Sequence, residues 1–237
     1  PIDDVYFALF NNNVINLDHL ASPQAEENEK AVYEAFRQKK EKVWNWLTQE
    51  LYQDRTPYNQ LKEEYQSYES YIVTNLLIND TRVLKVDTSD EVYRTWTEEE
   101  TISLSEFLEY AIAQNWVDVS RLDMDTQYAD SSEVFDRLAE YISQELEKTS
   151  FYKKLYKYMI RDNSISGKQV CLVLIEQQIV SVSEEQRAAL ENGSVSAYQF
   201  MRKLIENLQI TPAQLALDPF SGSCVVVDPN TGEVLAL

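Results

Sequence analysis

Ser150-Phe151-Tyr152-Lys153 sets a hydroxyl and an amine three residues apart. On a helix this spacing puts a serine nucleophile one turn from a lysine able to take its proton. That acylation chemistry needs two companions, an S-x-N and a K-T-G on a strand. Neither follows Lys153, and Asn230-Thr231-Gly232 lacks the leading cation that would bind a substrate carboxylate. Ser150 therefore reads as a helix N-cap. His19 is the only histidine, which excludes H-E-x-x-H and other multi-histidine metal sites. A Cys-His dyad would need His19 beside Cys171 or Cys224, yet both cysteines sit in apolar runs where a buried, inert thiol is the common outcome. His19 then reads as an ordinary loop residue, and no disulfide is assigned between Cys171 and Cys224.

Asp118, Asp123, Asp125 and Asp130 offer hard oxygen ligands, but the spacing fails for a calcium loop. With Asp123 in the first position, Tyr128 stands where a turn glycine is needed and Val134 where a bidentate glutamate is needed. They read as a solvated face with helix-capping aspartates. Asn79-Asp80-Thr81 and Asn192-Gly193-Ser194 match the three-residue glycosylation sequon, a pattern common by chance. The four glycines, at 167, 193, 222 and 232, are too scattered to cradle a phosphate. The sequence thus assigns no catalytic, cofactor-binding or metal residue. Its 40 acidic residues offer many carboxylate pairs, and only the fold decides which of them face each other.

Lys and Arg number 21 in 237 residues, so the formal net charge is -19 and a nucleic-acid partner is excluded by repulsion. A hydrophobic content of 44%, with 15 Tyr and 4 Trp, is too high for a disordered acidic chain. Four Gly and six Pro are few, which suits long helices joined by few turns. No run approaches the ~20 apolar residues of a membrane span, so this segment is expected to be soluble without membrane contact. Pro1 leads at once into the apolar Val5-Tyr6-Phe7-Ala8-Leu9-Phe10, which reads as the interior of a longer protein.

The expected class is mainly α, α+β overall: a multi-helix domain with a few short strands and a C-terminal β-hairpin. Apolar residues at three- and four-residue spacing predict helices over 25–53 and 58–78, with Thr56 as cap and Pro57 at the first position. So short a break between them predicts an antiparallel helical hairpin. Residues 82–86 form a candidate strand. Helices are predicted over 103–116 (with a Ser103/Glu106 capping box), 132–147 (capped by Ser131-Ser132), 150–161 and 166–178, the last a buried helix by its nearly all-apolar centre. Shorter ones are predicted at 183–192, 196–208 and 211–217. Cys224 to Val227 is apolar on both faces, as in a covered strand, 228–232 is a tight turn, and 233–237 begins a second strand. A lone hairpin is marginal in water, so a further sheet is expected to cover it.

The segment Ser223-Cys224-Val225-Val226-Val227-Asp228-Pro229-Asn230-Thr231-Gly232-Glu233-Val234-Leu235-Ala236-Leu237 resembles the opening of the transpeptidase domain in high-molecular-weight penicillin-binding proteins. There a strand of the form V-V-x-D-P-x-T-G-E-V-L-A-L begins the central sheet. The approach through Gln209-Ile210-Thr211-Pro212-Ala213-Gln214-Leu215-Ala216-Leu217 looks like that of class B proteins of clostridial type. The resemblance implies a helical pedestal or dimerisation domain over 1–220 and the first hairpin of a transpeptidase domain over 221–237. The family's R-G-x-I-x-D-R-N-G segment and its catalytic motifs are both missing, as expected if they lie before Pro1 and after Leu237. The implied parent is a membrane-anchored D,D-transpeptidase on the extracytoplasmic face of the bacterial cytoplasmic membrane. This part would be its non-catalytic scaffold, with the transpeptidase domain, elongation or division proteins, or a second copy as partners. The alternative reading is an independent acidic helical adaptor that binds basic partners.

Overall fold

The computed structural model describes residues 2–124 and 130–216, with the backbone of 226–227 and 234–236. The described chain is mostly helical. In order, the α-helices are α1 (Ile2–Asn11), α2 (Leu17–Leu20), α3 (Glu27–Tyr52), α4 (Glu63–Ser70), α5 (Glu91–Arg94) and α6 (Leu104–Ala113). They continue as α7 (Ser131–Leu146), α8 (Thr149–Arg161), α9 (Gly167–Glu176), α10 (Glu184–Glu191) and α11 (Ala197–Glu206). A π-helical stretch, Tyr71–Asp80, follows α4 directly. The contacts group these elements into two compact units, one of residues 1–33 and 163–237, the other of 34–162. The change of unit falls inside α3 and after α8, where composition does not change.

The unit of 34–162 is organised by aromatic packing. Phe151 of α8 meets Trp44 of α3 and Tyr68 of α4 edge-on, at ring separations of 5.8 and 5.3 Å. Phe36 stacks on Tyr156 at 5.1 Å, and Tyr68 meets Tyr158 edge-on at 5.5 Å. Offset stacks and edge-to-face pairs of this kind add about 0.5–1.5 kcal/mol each beyond burial. A smaller group, Trp96, Phe107 and Trp116, closes the α5–α6 end.

The predicted helix over 58–78 is broken in the structure. Tyr58–Gln60 is a single 3-10 turn, and α4 starts only at Glu63, with Leu61 and Lys62 extended. Two forces hold the chain off the helix: Pro57 disfavours the helical region for Thr56, and the Tyr58 and Asn59 N–H groups donate to the carbonyls of Ile102 and Glu100. Thr56 does not cap a helix; its N–H donates to Glu50 Oε1 at 3.1 Å. Nor is the antiparallel hairpin formed. Lys39 meets Glu64, and Trp46 meets Tyr65 and Tyr68. The charge of Glu50 acts on Glu69. The numbers rise together on both helices, so α4 crosses α3 in the same general sense.

The strand expected at 82–86 is reduced to one antiparallel bridge, Leu84 with Val117. The cap of α7 is Asp130, which accepts the Glu133 N–H at 2.9 Å, and not the Ser131-Ser132 pair. Ser150 is not a cap either, since α8 begins at Thr149 after Lys148.

In the other unit the predicted buried helix is α9, where Val170 through Leu174 are all buried. Capping boxes open α6, α9, α10 and α11, each with a serine answered three residues on by Glu106, Gln169, Gln186 or Gln199. The helix expected over 211–217 is a set of turns over the described residues 212–216: Thr211 and Gln214 make the reciprocal cap bonds, and Leu217 lies outside the described residues. Tyr6 of α1 lies across the start of α9, where a methyl on Gly167 would sit 2.5 Å from the tyrosine ring. Tyr6 is buried, so its ring has nowhere to retreat. Gly167→Ala is expected to destabilise this unit by about 1–3 kcal/mol through overpacking, measured by chemical denaturation.

Val226–Val227 pairs antiparallel with Val234–Ala236, with an irregular register between Val226 and Val227. The predicted turn at 228–232 and Cys224 lie outside the described residues.

Candidate functional site

His19, read from the sequence as a loop residue, is in α2 and is part of a buried polar cluster. Asn16 caps that short helix by accepting the N–H groups of Asp18 and His19. The His19 ring nitrogen Nδ1 lies 2.6 Å from Oε1 of Glu29, a residue with no exposed surface. Gln177 ties the same carboxylate down from α9: its Nε2 donates to Glu29 Oε1 at 2.8 Å and to the Asn16 carbonyl at 3.0 Å. Burial pushes the Glu29 carboxyl up, but the Glu26 N–H, His19 and Gln177 outweigh it and hold the group below the ordinary carboxylate value.

Glu176, at the end of α9, does something no local sequence pattern announces. Its carboxylate accepts the Asn28 N–H and side-chain amide at 3.2 and 2.6 Å, and the Glu29 N–H at 3.0 Å. These are orphan donors of the first turn of α3, so a carboxylate from a distant helix supplies the cap and meets the positive end of the helix dipole. A histidine oriented by a buried carboxylate is half of a general-base arrangement. The hydroxyl closest in sequence, Ser22, is buried without a hydrogen-bond partner and is out of reach of a substrate. The cluster is a clasp that seats α2 and the head of α3 against the end of α9.

The Ser150 hydroxyl meets the Tyr71 hydroxyl at 3.1 Å, on the exposed first turn of α8. Cys171 is a free, buried thiol with Sγ 3.8 Å from the Ala197 carbonyl oxygen. Burial pushes it up to about 12. Iodoacetamide at pH 8 is therefore expected to leave Cys171 unmodified in the native protein and to modify it in urea, as read by mass spectrometry. Asp118 binds Lys85 at 2.9 Å and the Ser120 hydroxyl at 2.6 Å, Asp130 caps α7, and Asp123 ends a 3-10 turn with positive φ. Asp125 lies outside the described residues. Among the described residues no three His, Cys, Asp or Glu side chains are gathered so as to hold a metal ion. No described helix is long and apolar enough to cross a membrane.

The unit of 34–162 brings together ionisable groups that sequence reasoning missed. Lys39, almost fully buried, binds Glu64 at 2.6 Å and Asp162 at 2.9 Å, and Glu64 also accepts the Tyr68 hydroxyl at 2.9 Å. Burial works against the ammonium, but the two carboxylates prevail and raise its pKa. Glu50 and Glu69 are both buried, and the Glu50 charge raises the pKa of Glu69, with no cation offsetting it. A cleft of about 430 Å³ opens beside the end of α3, lined among others by Tyr52, Asp54, Arg55, Glu109 and Asp136. Arg55, the one cation among its described lining residues, is bound to Glu109 at 2.8 Å. Its chemistry suits a cationic or hydroxyl-bearing group better than an anion.

Comparison with protein-family models, with curated proteins and with solved structures finds no match to this chain.

Proposed function

We propose that this chain is a non-catalytic scaffold and interaction region of a class B penicillin-binding protein. It would position the transpeptidase domain for peptidoglycan cross-linking on the extracytoplasmic face of the membrane. The observation that carries the proposal is the segment from Val225 to Leu237, V-V-V-D-P-N-T-G-E-V-L-A-L, with its resemblance to the first strands of the family's catalytic domain. The antiparallel pairing of Val226–Val227 with Val234–Ala236 is compatible with it. The buried clasp of Glu29 and Glu176 and the Lys39 hub suit a part whose task is to hold a shape. In the parent enzyme a serine beyond Leu237 would attack the stem peptide and form the acyl-enzyme that β-lactams mimic. Reading the parent gene past Leu237 tests this: S-x-x-K within about fifty residues, then S-x-N and K-T-G, is the expected result.

A second reading, an independent acidic adaptor, is favoured by the cleft that sets Asp54, Glu109 and Asp136 around a single, already paired Arg55. A stop codon after Leu237 would support the adaptor and overturn the scaffold.

A further inference from the structure

Glu69 is in the last turn of α4, two residues before Tyr71, where the π-helical stretch Tyr71–Asp80 begins. It has no exposed surface, and neither of its carboxylate oxygens has a hydrogen-bond partner. Buried polar groups left without partners are rare and carry a desolvation penalty, so this one needs an explanation. From α3 the charge of Glu50 acts on it; Glu50 is itself buried, accepts the Thr56 N–H and feels the charge of Asp54. In the 3-10 turn Tyr58 feels the charge of Glu69, and Glu100, Ser70 and Tyr158 of α8 also influence it. None of these groups is a cation. Burial first, and the Glu50 charge second, push the Glu69 carboxyl up to about 9. The segment that follows is wound with i→i+5 bonds, as in Thr81 N–H to the Leu76 carbonyl at 2.9 Å, a winding that recurs at functional sites.

We propose that Glu69 is a proton-operated catch: as a neutral acid it lets the end of α4 seat beside α3, and its ionisation near Glu50 releases that end together with the π-helical segment that continues it. The proposal is independent of the scaffold reading and holds for the adaptor equally. The sign follows from linkage. In the opened state Glu69 meets water and titrates near the ordinary carboxylate value, whereas in the closed state it keeps its proton to about pH 9. Between those limits the opened state binds one proton fewer, so opening is favoured about tenfold for each unit of rising pH.

Hydrogen exchange of the 71–80 amides in the full chain, read by mass spectrometry from about pH 6 to 9 and corrected for intrinsic exchange rates, measures that opening. The wild-type opening constant should rise about tenfold per pH unit and level off near the top of the range. Glu69→Gln, which imitates the neutral acid, should remove the rise. Glu50→Gln removes the like charge and should bring the levelling-off to lower pH. A wild-type constant that does not change with pH, or the same rise in wild type and Glu69→Gln, overturns the proposal. Should Glu69→Gln not fold, Glu50→Gln decides: an unchanged profile overturns the catch and a profile shifted to lower pH supports it.

Discussion

Lys39→Met should destabilise the unit of 34–162 by about 3–5 kcal/mol, the range seen when one partner of a buried ion pair is removed. Among the described residues Lys39 is the one cation bound to Glu64, and it is 6% exposed, against 20% for Glu64 and 43% for Asp162. The methionine fills the lysine's volume, so the loss reports the uncompensated carboxylates and not a cavity. Asp162 keeps much of its water and contributes little of it; most comes from Glu64, the less exposed of the two, which keeps the Tyr68 hydroxyl. Adding Glu64→Gln to Lys39→Met should therefore recover part of the stability. Arg137→Met, at an exposed pair with Glu140, should change stability by no more than about 0.5 kcal/mol. All four tryptophans, at 44, 46, 96 and 116, lie in this unit, so urea unfolding followed by tryptophan fluorescence reads it directly.

Glu176→Ala should destabilise the other unit by about 2–4 kcal/mol, because charge-assisted hydrogen bonds are lost and two backbone donors at the head of α3 are left unpaired. Glu176→Gln keeps one acceptor oxygen and should lose less. Tryptophan is absent from that unit, so far-UV circular dichroism in urea is the measurement. The same cluster has a pH signature. Glu29 is held below the ordinary carboxylate value in the folded state, so its contribution is fully present above that value and fades as the pH falls through the folded pKa. Glu29→Gln should flatten this acid limb of the stability profile.

The helices were legible wherever a stripe of apolar residues stood alone, as in α3, α6, α7 and α9. The all-apolar centre of α9 correctly marked a buried helix. Three capping boxes, at Ser166, Ser183 and Ser196, were written plainly in the S-x-x-Q spacing and were passed over. The break at 53–62 was not legible, because backbone bonds to Glu100 and Ile102, some forty residues on, decide it. The same holds for the clusters. Glu176 and Gln177 look like the polar end of an apolar helix, and nothing local shows that Glu176 caps α3, or that Gln177 holds the Glu29 carboxylate, across 148 residues of sequence. Glu50 and Glu69 are two acids among 40, and pairing them required the crossing of α3 and α4. Cys171 is the contrary case, since its apolar neighbours alone indicated the buried thiol that is found.

The scaffold account is tested most directly by labelling with a fluorescent penicillin. This chain and the full-length product of its gene would be incubated side by side, and the adduct mapped by mass spectrometry. The account predicts no label on residues 1–237 in either protein and one covalent adduct on a serine beyond Leu237 in the longer one. An adduct at Ser150, or a full-length product that takes no label at all, would contradict it.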